Sequence, residues 1–284
     1  MDDAGSDPDL VRELAELAAE FARGAAALVR RFSARRVVVS TKSTDTDLVT
    51  DADRATERWL VAQIARARPG DATLGEEGGA RAGRTGVRWV LDPIDGTVNF
   101  VLGLRRYAVS VAAEVDGAAV AGAVCDAASG ELFRAQRGGG AYLDGRRLHG
   151  PRPVPLAQAV LGTGFGYDAG VRARQGELLA AVLPRVADIR RLGSASLDLC
   201  AVAVGRLDGY FETGLSPWDH AAGALIASEA GCLVSGLRAE PPDERLTAVA
   251  GPVAAAELFS LLDELLAGPL SSSGSTSQPS ARPS

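Results

Sequence analysis

Two carboxylates, Asp92 and Asp95, flank Pro93 and Ile94 within the stretch Trp89–Phe100, and Gly96 and Thr97 follow at once. Carboxylate oxygens hold divalent cations, and a bare glycine backbone leading into a helix holds phosphate. One loop therefore combines the means to bind a metal and the phosphate that the metal activates. Taken alone, Asp-Pro-x-Asp is as ordinary as any Asx-Pro turn with solvated acids. Three more acidic motifs change that reading: Asp53, Glu76-Glu77, and Asp219 in Ser216-Pro217-Trp218-Asp219. Two unit charges ~4 Å apart repel by about 4 kcal/mol at an effective dielectric of ~20. Acids brought together like this either take up protons or bind hard cations. An all-oxygen ligand set selects Mg²⁺ over Zn²⁺. His149 and His220 are the only histidines, and His220, though next to Asp219, reads as a helix-surface residue.

Other chemistries find no motif. There is no GxSxG, no Walker A, and no GxGxxG opening a helix after a strand. Gly162-Thr163-Gly164-Phe165-Gly166 is glycine-rich but reads as a loop with close packing. A net charge of −6 and a pI near 5.1 argue against direct nucleic-acid binding. No apolar run approaches the ~20 residues of a membrane span. Met1-Asp2-Asp3 lacks the positive start of a signal peptide. Cys125, Cys200 and Cys232 are scattered without a CxxC pair, which fits small buried hydrophobes in a reducing cytoplasm.

Elements that position these residues are legible around them. Trp89-Val90-Leu91 reads as a buried strand that stops or turns at Pro93, and Thr97 as the N-cap of a short helix towards Phe100. Asp7-Pro8 opens a helix to about Arg31, with Leu10, Leu14, Leu17, Phe21 and Leu28 on one stripe. Arg30, Arg31, Arg35 and Arg36 complement its C-terminal dipole. Val37–Ser40 reads as a strand and Lys42–Thr46 as a loop. Thr50–Asp53 opens a helix that carries Trp59, Leu60 and Ile64 inward. Thr73-Leu74 enters Gly75–Gly79, and a Gly/Arg-rich loop runs on to Gly86.

Tyr107–Val115, Ala118–Asp126 and Glu131–Ala135 then form an antiparallel meander, turning at Asp116-Gly117 and Ser129-Gly130, with more turns at Gly138–Gly140 and Asp144-Gly145. Pro151, Pro153 and Pro155 mark a boundary. Beyond it, strands at Ala159–Thr163, Asp188–Leu192, Gly209–Glu212, Cys232–Ser235 and Thr247–Ala250 alternate with helices, among them Ser194–Val204 and one opened by Ser216-Pro217, which argues α/β layering. The predicted organisation is an N-terminal α+β domain over residues 1–150 with most metal ligands, a C-terminal α/β domain over 151–267 supplying Asp219, and a disordered tail over 268–284.

Gly75-Glu76-Glu77, Asp92-Pro93-Ile94-Asp95-Gly96-Thr97 and Pro217-Trp218-Asp219, followed by Ala221-Ala222-Gly223-Ala224, resemble the inositol monophosphatase family over about residues 10–266. Leu192–Cys200 and Gly205–Asp208 strengthen the resemblance towards its bacterial, actinobacterial type. The resemblance implies an αβαβα sandwich of the inositol monophosphatase/fructose-1,6-bisphosphatase type. It also implies Mg²⁺-dependent, lithium-sensitive hydrolysis of myo-inositol monophosphate, with two or three ions per site.

In that reading Glu76, Asp92 and the Ile94 carbonyl hold the first ion, and Asp92, Asp95 and Asp219 the second. Thr97, hydrogen-bonded to Asp53, orients the attacking water with Glu76 beside it. The Gly96 and Thr97 N–H groups take phosphate oxygens. Asp95, Ser194, Ala195, Glu212 and Asp219 contact the inositol ring, and Lys42 lies in a loop before the site. The family implies a homodimer, with histidinol phosphate, adenosine 3′,5′-bisphosphate and fructose 1,6-bisphosphate as rival substrates. A regulatory role on the transcription machinery is the rival from another class. Arg105-Arg106 and Ser196 depart from the family pattern and bear on the shape of the substrate loop.

Overall fold

The computed structural model describes residues 7–33, 39–42 and 48–267. Arg35, Arg36, most of the Lys42–Thr46 loop and the tail expected from Gly268 lie outside the described residues.

The first half runs α1 (Pro8–Ser33), β1 (Val39–Thr41), β2 (Leu48–Thr50), α2 (Asp51–Ala67), β3 (Ala72–Gly75), β4 (Gly79–Arg81), β5 (Val87–Asp95), α3 (Thr97–Leu102), β6 (Ala108–Val115), β7 (Ala118–Asp126), β8 (Leu132–Gln136), β9 (Gly140–Leu143) and β10 (Arg146–Arg147). The second half runs β11 (Val160–Thr163), α4 (Ala169–Val182), β12 (Asp188–Arg190), α5 (Ala195–Ala203), β13 (Gly209–Glu212), α6 (Pro217–Glu229), β14 (Leu233–Ser235), β15 (Thr247–Ala250) and α7 (Pro252–Ala267).

An eight-stranded sheet has the order β10-β9-β8-β7-β6-β5-β3-β4, and a five-stranded sheet the order β12-β11-β13-β15-β14. Helix α1 lays Leu14, Ala18, Phe21, Ala22, Ala25 and Val29 into one core, against Trp89, Leu91, Val109 and Val111 of the first sheet. Phe21 meets Trp89 edge-on at 5.5 Å. Helices α5 and α6 fill the opposite face of that sheet and share their core with Tyr210 and Val249 of the second. The far face of the second sheet, with Leu161, Phe211, Ala248 and Ala250, is covered by α4 and α7. The layers are therefore helix, sheet, helix, sheet, helix.

Several local readings change. Strand β5 does not stop at Pro93 but runs to Asp95. Its pairing with β6 shifts between Asp92↔Ser110 and Asp95↔Ala108, a bulge that tolerates a proline without a ladder donor. Thr97 is not an N-cap. Gly96 takes that place at φ 92°, and Thr97 is the first residue of α3. The Gly/Arg-rich loop contains β4, and the turns after Gln136 frame two further strands, β9 and β10, that extend the meander. Strand β1 pairs with β2 and runs one residue past the strand expected at Val37–Ser40, whose Val37 and Val38 lie outside the described residues.

Candidate active site

Asp92, Asp95 and Asp219 each offer a carboxylate oxygen, and these atoms lie within 4.8 Å of one another. Three separate local devices deliver them. The β5 bulge turns Asp92 and Asp95 the same way, and Asp92 Oδ1 accepts from the Ile94 N–H at 2.9 Å. Asp219 sits in the first turn of α6, where its Oδ2 accepts from the Ser216 N–H at 2.7 Å. Burial first, then mutual repulsion, raises the pKa values of Asp92 and Asp219 well above the carboxylate range. Buried like charges at this spacing, all oxygen donors, fit a hard divalent cation.

Asp95 is held differently. Ser194 Oγ donates to its Oδ2 at 2.6 Å, the Ser196 N–H to the same oxygen at 2.8 Å, and the Ala195 N–H to Oδ1 at 3.2 Å. The Ser196 hydroxyl donates to it as well. Burial raises the Asp95 pKa, and these donors oppose the rise. Ser194 and Ala195, expected against the inositol ring, thus also aim a carboxylate. Ser196, read from the sequence as a departure in loop shape, belongs to the same clamp. The repeat Ser-Ala-Ser at a helix start was the signal available for it.

Glu76 stands outside the group of three. Its Oε1 lies 2.6 Å from Lys42 Nζ, which also reaches Glu77 Oε1 at 2.5 Å. Burial raises the Glu76 pKa to about 7, with Lys42 opposing the rise. Burial works against the Lys42 charge too, but the two glutamates outweigh it and hold its pKa above the ordinary value. Lys42 is therefore engaged at the site and is not a solvated surface cation.

Asp53 links the second helix to the loop. Thr50 caps α2, and its N–H donates to Asp53 Oδ2 at 2.8 Å, closing a capping box. The other oxygen, Oδ1, lies 3.1 Å from Thr97 Oγ1, which is also 2.9 Å from the Ile94 carbonyl oxygen. Gly96 is required twice over. Its φ is in the left-handed region, and a Cβ there would lie 3.0 Å from the carbonyl oxygens of Arg106 and Gly193.

A cavity of about 330 Å³ opens above these groups, lined by Asp95, Gly96, Ser194, Ala195, Glu212 and Asp219 among others. Sequence reading missed its remaining wall, notably Gly164, Phe165, Arg191 and Asp198. Asp198 is buried and pairs with Arg106 Nη2 at 2.5 Å. Burial raises its pKa to about 6 while Arg106 pulls it down. Arg106→Met should cost about 3 kcal/mol of stability by leaving that carboxylate unpaired, and adding Asp198→Asn should restore most of it in thermal unfolding. His220 is half-buried, contrary to the surface position expected, and burial lowers its pKa to about 4, so it is neutral at pH 7. All three cysteines are buried and free. Among the described residues no helix is long and apolar enough to cross a membrane.

Residues 10–274 match the model of the inositol monophosphatase family. An inositol-1-monophosphatase SuhB from Mycobacterium tuberculosis is 50% identical over 280 residues, covering 92% of this chain and 94% of that protein. A Nus factor SuhB from Pasteurella multocida is 42% identical over 209 residues, covering 73% of this chain and 78% of that protein. The solved structure of Mycobacterium tuberculosis SuhB superposes with a TM-score of 0.75 at 46% identity, over 89% of this chain and 97% of that one.

Proposed function

The chain belongs to the inositol monophosphatase family, and from that premise we propose that it hydrolyses myo-inositol monophosphate to inositol and phosphate with Mg²⁺ as its metal. The observation that carries this reading is the convergence of Asp92, Asp95 and Asp219 beside a cavity whose far wall holds Glu212. Glu76, Asp92 and the Ile94 carbonyl would hold one ion, and Asp92, Asp95 and Asp219 another. Bound there, Mg²⁺ supplies the charge that lowers the pKa of water and stabilises the leaving oxygen.

The chain's own groups do the rest. Gly96 and Thr97 present backbone N–H groups to the phosphate. Thr97 Oγ accepts the proton of the attacking water and passes its own to Asp53 Oδ1, a buried carboxylate whose raised pKa suits a proton acceptor. Ser194, Ala195 and Ser196 keep Asp95 from turning away. Three buried free cysteines support a cytoplasmic setting.

Phosphate release from myo-inositol 1-phosphate tests the reading. Turnover should fall to background after exhaustive EDTA treatment and return with added Mg²⁺; undiminished turnover after EDTA overturns the metal assignment. Histidinol phosphate, adenosine 3′,5′-bisphosphate and fructose 1,6-bisphosphate belong in the same panel, and faster turnover of any of them displaces inositol phosphate as the substrate. The name of the Pasteurella relative favours a second reading, regulation through the transcription machinery. Capture of that machinery by a metal-site variant as well as by the unmodified protein would support it.

A further inference from the structure

The glycine run Gly162–Gly166, which the sequence offered only as close packing, lies beside Glu212. Strands β11 and β13 are parallel neighbours with Gly162 opposite Tyr210 and Thr163 opposite Phe211. Side chains on paired parallel strands alternate together, so Gly162 and Gly164 share a face with Tyr210 and Glu212. That face turns towards α5 and α6, since Tyr210 packs in their core while Phe211 packs in the other.

A Cβ on Gly162 would meet Leu207 Cδ1 at 2.9 Å and the Tyr210 ring at 3.0 Å, and a Cβ on Gly164 would overlap both carboxylate oxygens of Glu212. Tyr210 is fully buried, and its hydroxyl donates to Glu212 Oε2. Among the described residues Glu212 Oε1 receives no hydrogen bond, and Glu212 lines the cavity above Asp95 and Asp219.

We propose that Tyr210 and Gly164 are specificity-determining positioning residues that hold the Glu212 carboxylate in the cavity with one oxygen left for a substrate hydroxyl. The unit thereby selects phosphomonoesters whose leaving group is a polyol; this rests on the proposed phosphatase function. A fixed carboxylate accepts from a ring hydroxyl, and an ester that lacks one leaves it unpaired, which is how a polar site rejects an analogue. Without the Tyr210 hydroxyl, Glu212 is free to turn and satisfy itself elsewhere. With a methyl at position 164 the carboxylate must leave its slot. The overlapping atoms are the far end of a flexible side chain, so the fold absorbs the change.

The experiment measures kcat and KM for myo-inositol 1-phosphate and for p-nitrophenyl phosphate, with the inhibition constant of inorganic phosphate. It compares the unmodified enzyme with Glu212→Gln, Tyr210→Phe, Gly164→Ala and the double variant Tyr210→Phe/Glu212→Gln. The preference for inositol phosphate should fall roughly 10–150-fold in Glu212→Gln, as for a hydrogen bond to a charged group. It should fall by a similar factor in Gly164→Ala and about five- to tenfold in Tyr210→Phe, mainly through KM. The double variant should be no worse than Glu212→Gln, because the tyrosine acts through the carboxylate.

Phosphate inhibition, which involves no ring, should move less than about twofold. A preference retained in Tyr210→Phe and Gly164→Ala but lost in Glu212→Gln overturns the assignment alone. So do additive losses in the double variant, or phosphate inhibition weakening in step. Equal handling of both esters by the unmodified enzyme overturns the inositol reading and the assignment with it. Should Gly164→Ala fail to fold, Tyr210→Phe, which keeps the buried ring, decides the matter.

Discussion

Asp92→Asn should lower Mg²⁺-dependent turnover by at least about 10³-fold while making the metal-free protein more stable at neutral pH. The first effect follows from its place: in the proposed function Asp92 is the one carboxylate shared by both ion positions. The second follows from its surroundings. Asp92 is buried beside Glu76, Asp95 and Asp219, and burial followed by those charges raises its pKa well above the usual range.

An acid whose folded pKa lies above its unfolded value binds more protons when folded. Stability therefore declines as pH rises from the unfolded value through the folded one. For Glu76 that window runs from 4.5 to about 7. The metal-free protein should accordingly lose several degrees of Tm between about pH 5 and 7.5, in line with a few kcal/mol of accumulated repulsion. Asn at position 92 removes one charge, flattens that slope and raises Tm at the upper end. Added Mg²⁺ should raise the Tm of the unmodified protein most at high pH and that of the variant little. Scanning calorimetry against pH, with and without Mg²⁺, reads all of this. Turnover within tenfold of normal would remove Asp92 from the ligand set.

Thr97→Ala should lower kcat about 10²–10³-fold and leave KM within about threefold. Its hydroxyl lies 3.1 Å from Asp53 Oδ1 and 2.9 Å from the Ile94 carbonyl oxygen, with one proton to give to either. The Thr50 capping box holds Asp53 by its other oxygen, so the hydroxyl faces an acceptor that cannot drift. A group that takes a proton as water becomes nucleophilic acts in the transition state, so its loss appears in kcat. Because Gly96, not Thr97, caps α3, no helix cap is lost, and the cost in stability is that of one buried hydrogen bond, about 1–3 kcal/mol. Thr97→Ser keeps the hydroxyl and should stay within about tenfold of normal. A raised KM at constant kcat would reduce Thr97 to a phosphate contact.

Much of this protein was determined by its sequence alone, wherever the governing interaction is local. The meander from Ala108 to Gln136 follows from alternating apolar residues and from turns such as Asp116-Gly117, which adopts φ 51° and 81°. Thr50 and Asp53 announce a helix start, and Ser216-Pro217 another. The spacing of Asp92 and Asp95 around a proline already marked a place where a strand yields to a loop rich in acceptors.

What tertiary structure decided is which of these local pieces meet. Periodicity tells which face of a strand is buried but not what lies across it. That Asp219 joins Asp92 and Asp95 depends on α6 packing between two sheets. Three carboxylates this close, two buried and Asp219 half-buried, are unfavourable by every local measure, so no propensity predicts their meeting. Pro93 lies inside β5, against the stop its chemistry predicts, because a bulge, fixed by pairing with β6, removes the need for its missing N–H. The clamp of Ser194, Ala195 and Ser196 on Asp95 joins the start of α5 to the end of β5, and the mould of Gly162 and Gly164 around Tyr210 and Glu212 exists only when β11 lies parallel to β13. A glycine records that space is needed; only the neighbouring strand shows for what.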